Sequence, residues 1–194
     1  IIFMGSFCIL VLILLLYIVV RNNQEKAELV RSVQHDALTG VYNRENTQKM
    51  IDAILREKAP EGFHGFLILD MDHFKEVNDV YGHVMGDNVL RMLGGFLKEQ
   101  FREQDVIGRI GGDEFVILLC NIGSRENMES RIKNLHENLR EIRMEGMGEH
   151  TFTFSAGIAF APQDGDTFME LYQKADLALY QVKRSGRNGY RIYK

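Results

Sequence analysis

The sequence predicts an α/β domain carried behind a membrane-spanning helix, and three observations lead there. Residues Ile1–Val20 carry no charge, and only Gly5 and Ser6 interrupt the apolar run. Beyond them, short strand-like runs alternate with amphipathic helical segments, the pattern of a layered domain. A Gly-Gly pair, Gly111-Gly112, separates two strand candidates as at a hairpin tip.

The opening run is long enough for a bilayer, since about 20 residues rising about 1.5 Å each span a hydrocarbon core of roughly 30 Å. A cleavable leader would have a shorter apolar stretch, basic residues before it and small residues after it. Arg21, Lys26 and Arg31 follow the run directly. Basic flanks stay inside, so a single span in the inner (cytoplasmic) membrane with a cytoplasmic remainder is expected. Because the sequence opens on Ile1 rather than Met, an upstream part is also expected. The division is thus residues 1–20 as membrane helix, 21–35 as a connecting helix with a thin stripe of Ala27, Val30 and Val33, and 36–194 as the soluble domain.

Within that domain, Thr39–Lys58 reads as a helix because Met50, Ile51, Ile54 and Leu55 recur at helical spacing. Gly65–Asp70 is a continuous apolar run ending in an acid, as in a strand buried on both faces. Asp87–Phe101 is an amphipathic helix with Val89, Leu90, Leu93, Phe96 and Leu97 inward. Asp105–Ile110 and Glu114–Cys120 are the hairpin strands. Glu126–Arg143 is a helix, Thr151–Phe160 a strand, Thr167–Lys183 a helix and Tyr190–Tyr193 a short closing strand.

A net charge of −4 excludes general nucleic-acid binding by the whole domain. No acid follows Asp176, whereas Lys183, Arg184, Arg187, Arg191 and Lys194 do. A local basic end on an acidic domain suits a small anion, or is simply a solvated face. Cys8 lies in the apolar run and Cys120 at a strand end, so no disulfide framework arises.

The chemistry-bearing residues are acids at strand ends. Asp70 closes one strand, Asp72 follows, and Asp113 and Glu114 come after the glycine pair. Carboxylates on adjacent strands build a hard-cation site, and Mg2+ takes one or two carboxylates plus waters and phosphates. Glycines let backbone approach a phosphate.

Taken in order, the motifs resemble the GGDEF family of diguanylate cyclases over Asp36–Tyr193. They are Asp36-Ala37-Leu38-Thr39-Gly40 with Asn43-Arg44, then Asp70-Met71-Asp72-His73-Phe74-Lys75 with Asn78-Asp79. Gly82-His83-Val84-Met85-Gly86-Asp87 and Arg109-Ile110-Gly111-Gly112-Asp113-Glu114-Phe115 come next. Ala175-Asp176-Leu177-Ala178-Leu179-Tyr180 runs into Lys183-Arg184-Ser185-Gly186-Arg187-Asn188. The resemblance implies a central, mostly antiparallel sheet flanked by helices, like a nucleotide cyclase or polymerase palm.

It further implies synthesis of cyclic di-GMP from two GTP by a homodimer using Mg2+ or Mn2+. Asp70, Asp113 and the Met71 carbonyl are then metal ligands, and Glu114 is either a further ligand or the group that deprotonates the attacking 3′-hydroxyl. Asp72 reads as support for the ligands. Asn78 and Asp87 match the guanine readers, Asp87 accepting from N1–H and the 2-amino group, with a helix N-cap as its other reading. Lys75, Lys183 and Arg187 match the triphosphate contacts. His73 and His83 read as structural rather than catalytic. Arg102 and Asp105, at RxxD spacing before the hairpin, imply a site where product inhibits the enzyme. Ile110 and Val182 depart from the family pattern, apolar for apolar. The alternatives are a non-catalytic receptor for cyclic di-GMP or GTP, and a cyclic GMP-AMP synthase.

Overall fold

The computed structural model describes residues 15–22, 33–57 and 63–194. The chain separates into two compact units, Ile1–His35 and Asp36–Lys194. In the first, residues 15–22 are helical; the remainder of the expected span, residues 1–14, and most of the connector, residues 23–32, lie outside the described residues. Among the described residues, no helix is long and apolar enough to cross a membrane.

The second unit contains α1 (Arg44–Arg56), β1 (His64–Met71), α2 (Phe74–Tyr81), α3 (His83–Gln100), β2 (Val106–Gly111) and β3 (Glu114–Leu119). After these come α4 (Arg125–Glu141), β4 (Phe154–Ala161), α5 (Phe168–Arg184) and β5 (Gly189–Ile192). The sheet order is β2-β3-β1-β4-β5. All neighbours are antiparallel except β4 and β5, which run parallel.

Side chains alternate across a strand, so the apolar run of β1 feeds two cores. Leu67 and Leu69 join Ile117, Ile158, Leu93 and Ile132 on the α3/α4 side. Phe66 and Ile68 join Val116, Leu118, Ile51, Leu171, Ala175 and Leu179 on the α1/α5 side. Each such buried Leu, Ile, Val or Phe side chain contributes about 1.5–3 kcal/mol of transfer free energy. Two filled faces explain why β1 reads as an unbroken apolar run rather than as alternation.

Two helix starts and one further element differ in ways that bear on the site. The first helix begins at Arg44, not Thr39, because Asn43 Oδ1 accepts from Asn46 N and caps it. The helix expected from Asp87 begins one turn earlier, at His83, after Gly82. Between β1 and that helix lies α2, an element the periodicity did not reveal.

Candidate active site

Asp70 lies directly opposite Glu114 in the β1–β3 register. Opposed residues of an antiparallel pair share a face. Period-two alternation from Phe66 and Ile68 puts Asp70 on the α1/α5 side, and Val116 and Leu118 put Glu114 there as well. The sheet therefore ends in two acids beneath α5.

The hairpin tip adds a third. Gly112 sits at φ 53°, a left-handed conformation that suits glycine, and Gly111 still pairs with Glu114 across the turn. Met71 N donates to the Asp113 carbonyl at 3.4 Å, fastening the tip to the β1 end. Arg109 braces it from the other side: Nε donates to the Gly112 carbonyl at 2.8 Å and Nη1 to Asp36 Oδ1 at 3.0 Å. Asp36 also accepts from Thr39 N and Thr39 Oγ1. The opening motif is thus tied to the hairpin, a role its sequence alone does not disclose.

Each acid has a distinct partner. Asp70 Oδ2 pairs with Lys183 Nζ at 2.7 Å. Glu114 Oε1 accepts from the Tyr172 hydroxyl at 2.6 Å. Burial raises the Asp113 pKa above the ordinary carboxylate range, and the charges of Asp70 and Glu114 push the same way against Lys183. Burial also raises the Tyr172 pKa, helped by its bond to Glu114. Lys183 is thereby placed at the acids of the sheet.

The donor set suits Mg2+: ionisable, hard oxygens whose charges repel one another until a cation is shared. Among the described residues no group of three or more His, Cys, Asp or Glu side chains is placed to hold a metal by itself.

Asp72 is 6% exposed and accepts from Ser155 Oγ at 2.6 Å, Thr153 Oγ1 at 2.9 Å and Asn188 N at 2.9 Å. It fastens β1, β4 and the loop after α5, a brace beneath the site. His73 adopts φ 59° before α2 and its ring pairs with exposed Glu76 at 2.6 Å, with no side-chain cap on the helix. Uncapped N–H groups at a helix start attract anions, and exposed Lys75 stands in that first turn.

Asn78 and Asp87 come together at the α2–α3 corner. A Cβ built on Gly86 would fall 2.0 Å from Asn78 Oδ1, so the missing side chain is what lets the amide lie there, one residue from exposed Asp87. Asp87 lies in the second turn of α3, behind Gly82, and does not cap the helix. Arg187, at φ 62° and exposed, lies in the loop from α5 to β5.

The two residues of the RxxD pair face different surroundings. Asp105 is buried, its Oδ1 accepting from Cys120 N at 2.9 Å and its Oδ2 from Arg102 N at 3.0 Å. Both oxygens are held inside the domain, because the turn into β2 and the residue after β3 each present an N–H group that needs an acceptor. Arg131 Nη1 approaches Asp105 Oδ2 at 3.5 Å. Exposed Arg102 and half-buried Arg131 line a cavity of about 520 Å³ with Asn121, Asn127 and Ser130.

Sequence reasoning missed Tyr172, Arg131 and the Arg109 brace. Only Tyr172 left a signal, since it stands 11 residues before Lys183 and hence on the same face of one helix.

A mostly antiparallel sheet ending in an acid beside a Gly-Gly-Asp-Glu hairpin defines a GGDEF-type domain. Over residues 33–189 the chain matches the family described as diguanylate cyclase, GGDEF domain, and it belongs to that family. Diguanylate cyclase DgcS of Shewanella oneidensis is 34% identical over 173 residues, which are 88% of this chain and 56% of that protein. Among the curated relatives it matches, the chain spans about half of the length. The GGDEF domain of TpbB (YfiN) from Pseudomonas aeruginosa is similar at a TM-score of 0.77 and 33% identity, covering 82% of this chain and 94% of that one. The GGDEF domain of DgcB from Caulobacter crescentus, solved in complex with c-di-GMP, gives a TM-score of 0.74 at 25% identity, over 82% and 95% of the two chains.

Proposed function

We propose that this chain is a diguanylate cyclase, joining two GTP into cyclic di-GMP with release of two pyrophosphates. The observation that carries the reading is the convergence of Asp70, Asp113 and Glu114, with the Asp113 carboxyl raised by burial and its acidic neighbours. Charge is assembled there at the expense of stability, as at sites that bind cations.

Asp70, Asp113 and the Met71 carbonyl would hold Mg2+ or Mn2+, with Glu114 as a further ligand or as the group nearest the attacking hydroxyl. When bound, the ions neutralise developing charge and favour the ionised 3′-hydroxyl. The residues of the chain do the rest. Asp87 accepts from guanine N1–H and the 2-amino group, and Asn78 completes that edge. Lys75 and the start of α2 hold the triphosphate, joined by Arg187 and by Lys183 once the ammonium is shared between Asp70 and phosphate.

Each domain holds one GTP, so two chains face each other as a homodimer and each 3′-hydroxyl attacks the α-phosphate opposite. Residues 1–20 anchor the chain in the cytoplasmic membrane, and residues 21–35 bring two domains together. Product binds back through Arg102 and Arg131, with Asp105 fixing the Arg102 backbone beneath them.

The test is product identity. The chain incubated with GTP and Mg2+, with and without ATP, is expected to yield cyclic di-GMP alone on chromatography. A mixed cyclic GMP-AMP product would replace the guanine reading at Asp87. Tight binding of cyclic di-GMP with no turnover would leave a receptor.

A further inference from the structure

We infer that Tyr172 is a positioning residue that sets the orientation of the Glu114 carboxylate, an inference that rests on the acidic cluster being the cyclase site. Its hydroxyl donates to Glu114 Oε1 at 2.6 Å, the length of a charge-assisted O–H···O⁻ bond. A flexible donor would orient nothing, but this one is fixed. The Tyr172 ring stacks on Phe168 at 5.7 Å and 25° between planes, and Phe168 meets Phe66 edge-on at 5.6 Å. Phe66 is fully buried in β1, and Phe168 N donates to Asp52 Oδ1 of α1 at 2.8 Å. An aromatic ladder therefore runs from the core of the sheet to one oxygen of Glu114.

The same helix face holds the neighbouring acid. Lys183, three turns along α5, takes Asp70 as Tyr172 takes Glu114. α5 thus sets both carboxylates of the β1–β3 pair from above. With Oε1 engaged by Tyr172, Oε2 is the Glu114 oxygen left for cation or substrate. Removing a hydrogen-bond partner from a ligand carboxylate lowers metal affinity or activity about 10- to 100-fold.

Tyr172→Phe isolates the hydroxyl, because the ring and its stacking remain. In the full chain, kcat for GTP is expected to fall about 10- to 100-fold with KM within about twofold, since the guanine and phosphate contacts lie elsewhere. A titration of Mn2+ in the presence of 3′-deoxy-GTP, followed by the paramagnetic resonance of free Mn2+, is expected to weaken similarly. The thermal midpoint should not move, and Tyr180→Phe, on the exposed side of the same helix, should match the parent throughout. A loss in kcat or in Mn2+ affinity at constant midpoint supports the assignment. Unchanged values of both, or losses that accompany a lower midpoint, overturn it. If the parent forms no cyclic di-GMP, the functional reading fails, while the Mn2+ titration of parent against Tyr172→Phe still decides the role of Tyr172.

Discussion

Among single residues, Asp113 carries the clearest tension between stability and chemistry. Its raised pKa means that the folded domain holds the proton more tightly than the unfolded chain does. At neutral pH the ionised carboxylate therefore destabilises the fold, and that penalty fades as pH falls through the folded pKa. Asp113→Asn is expected to raise the thermal unfolding midpoint near neutral pH, with the gain shrinking as pH falls through the folded pKa, while turnover is lost. Scanning calorimetry across that pH range checks it; a midpoint lowered at neutral pH would contradict the electrostatic account. Asp87 makes a different kind of prediction. An unpaired buried donor costs about 1–3 kcal/mol, so Asp87→Ala should lower kcat/KM for GTP about 5- to 150-fold and narrow its advantage over ATP. The identities of these acids were legible in the sequence because motif spacing names them. The inward turn of Asp105 was not, since RxxD spacing fixes which residues occur and says nothing of where a side chain is bonded.

Elements were legible in proportion to how much apolar surface they bury. β1 announced itself because both of its faces are covered. α2 did not, because it buries only Val77 and leaves Val80 and Tyr81 exposed, so no stripe appears. The start of α3 was hidden by Gly82 and Gly86, because glycine weakens a helical pattern although Gly86 belongs to the helix. Gly86 also offers a test confined to this corner. A Cβ there meets the mobile end of Asn78 rather than backbone, so Gly86→Ala should keep or slightly raise stability, helped by about 1 kcal/mol of helix propensity. KM for GTP should rise as the Asn78 amide is displaced, with kcat less affected. An unchanged KM would remove Asn78 from the guanine site.

For the whole molecule, the sheet order and the strand register place the acids at one end of the inner strands β1 and β3, and the proposed reading gives each domain one set of guanine and phosphate contacts. Two phosphodiester bonds then require two chains, so specific activity should rise with protein concentration until the dimer saturates; sedimentation at the same concentrations locates that dimer. Strict proportionality between rate and protein concentration, at concentrations where the chain is monomeric, would exclude a dimeric catalyst. The most direct measurement concerns the acids themselves. Parent chain, Asp70→Ala and Asp113→Ala are compared for cyclic di-GMP formed from GTP at saturating Mg2+, alongside their far-ultraviolet circular dichroism. The account predicts product from the parent and at least about a 10³-fold loss in each folded variant, the scale of removing a group that stabilises developing charge. Parent-level turnover in either folded variant would contradict it.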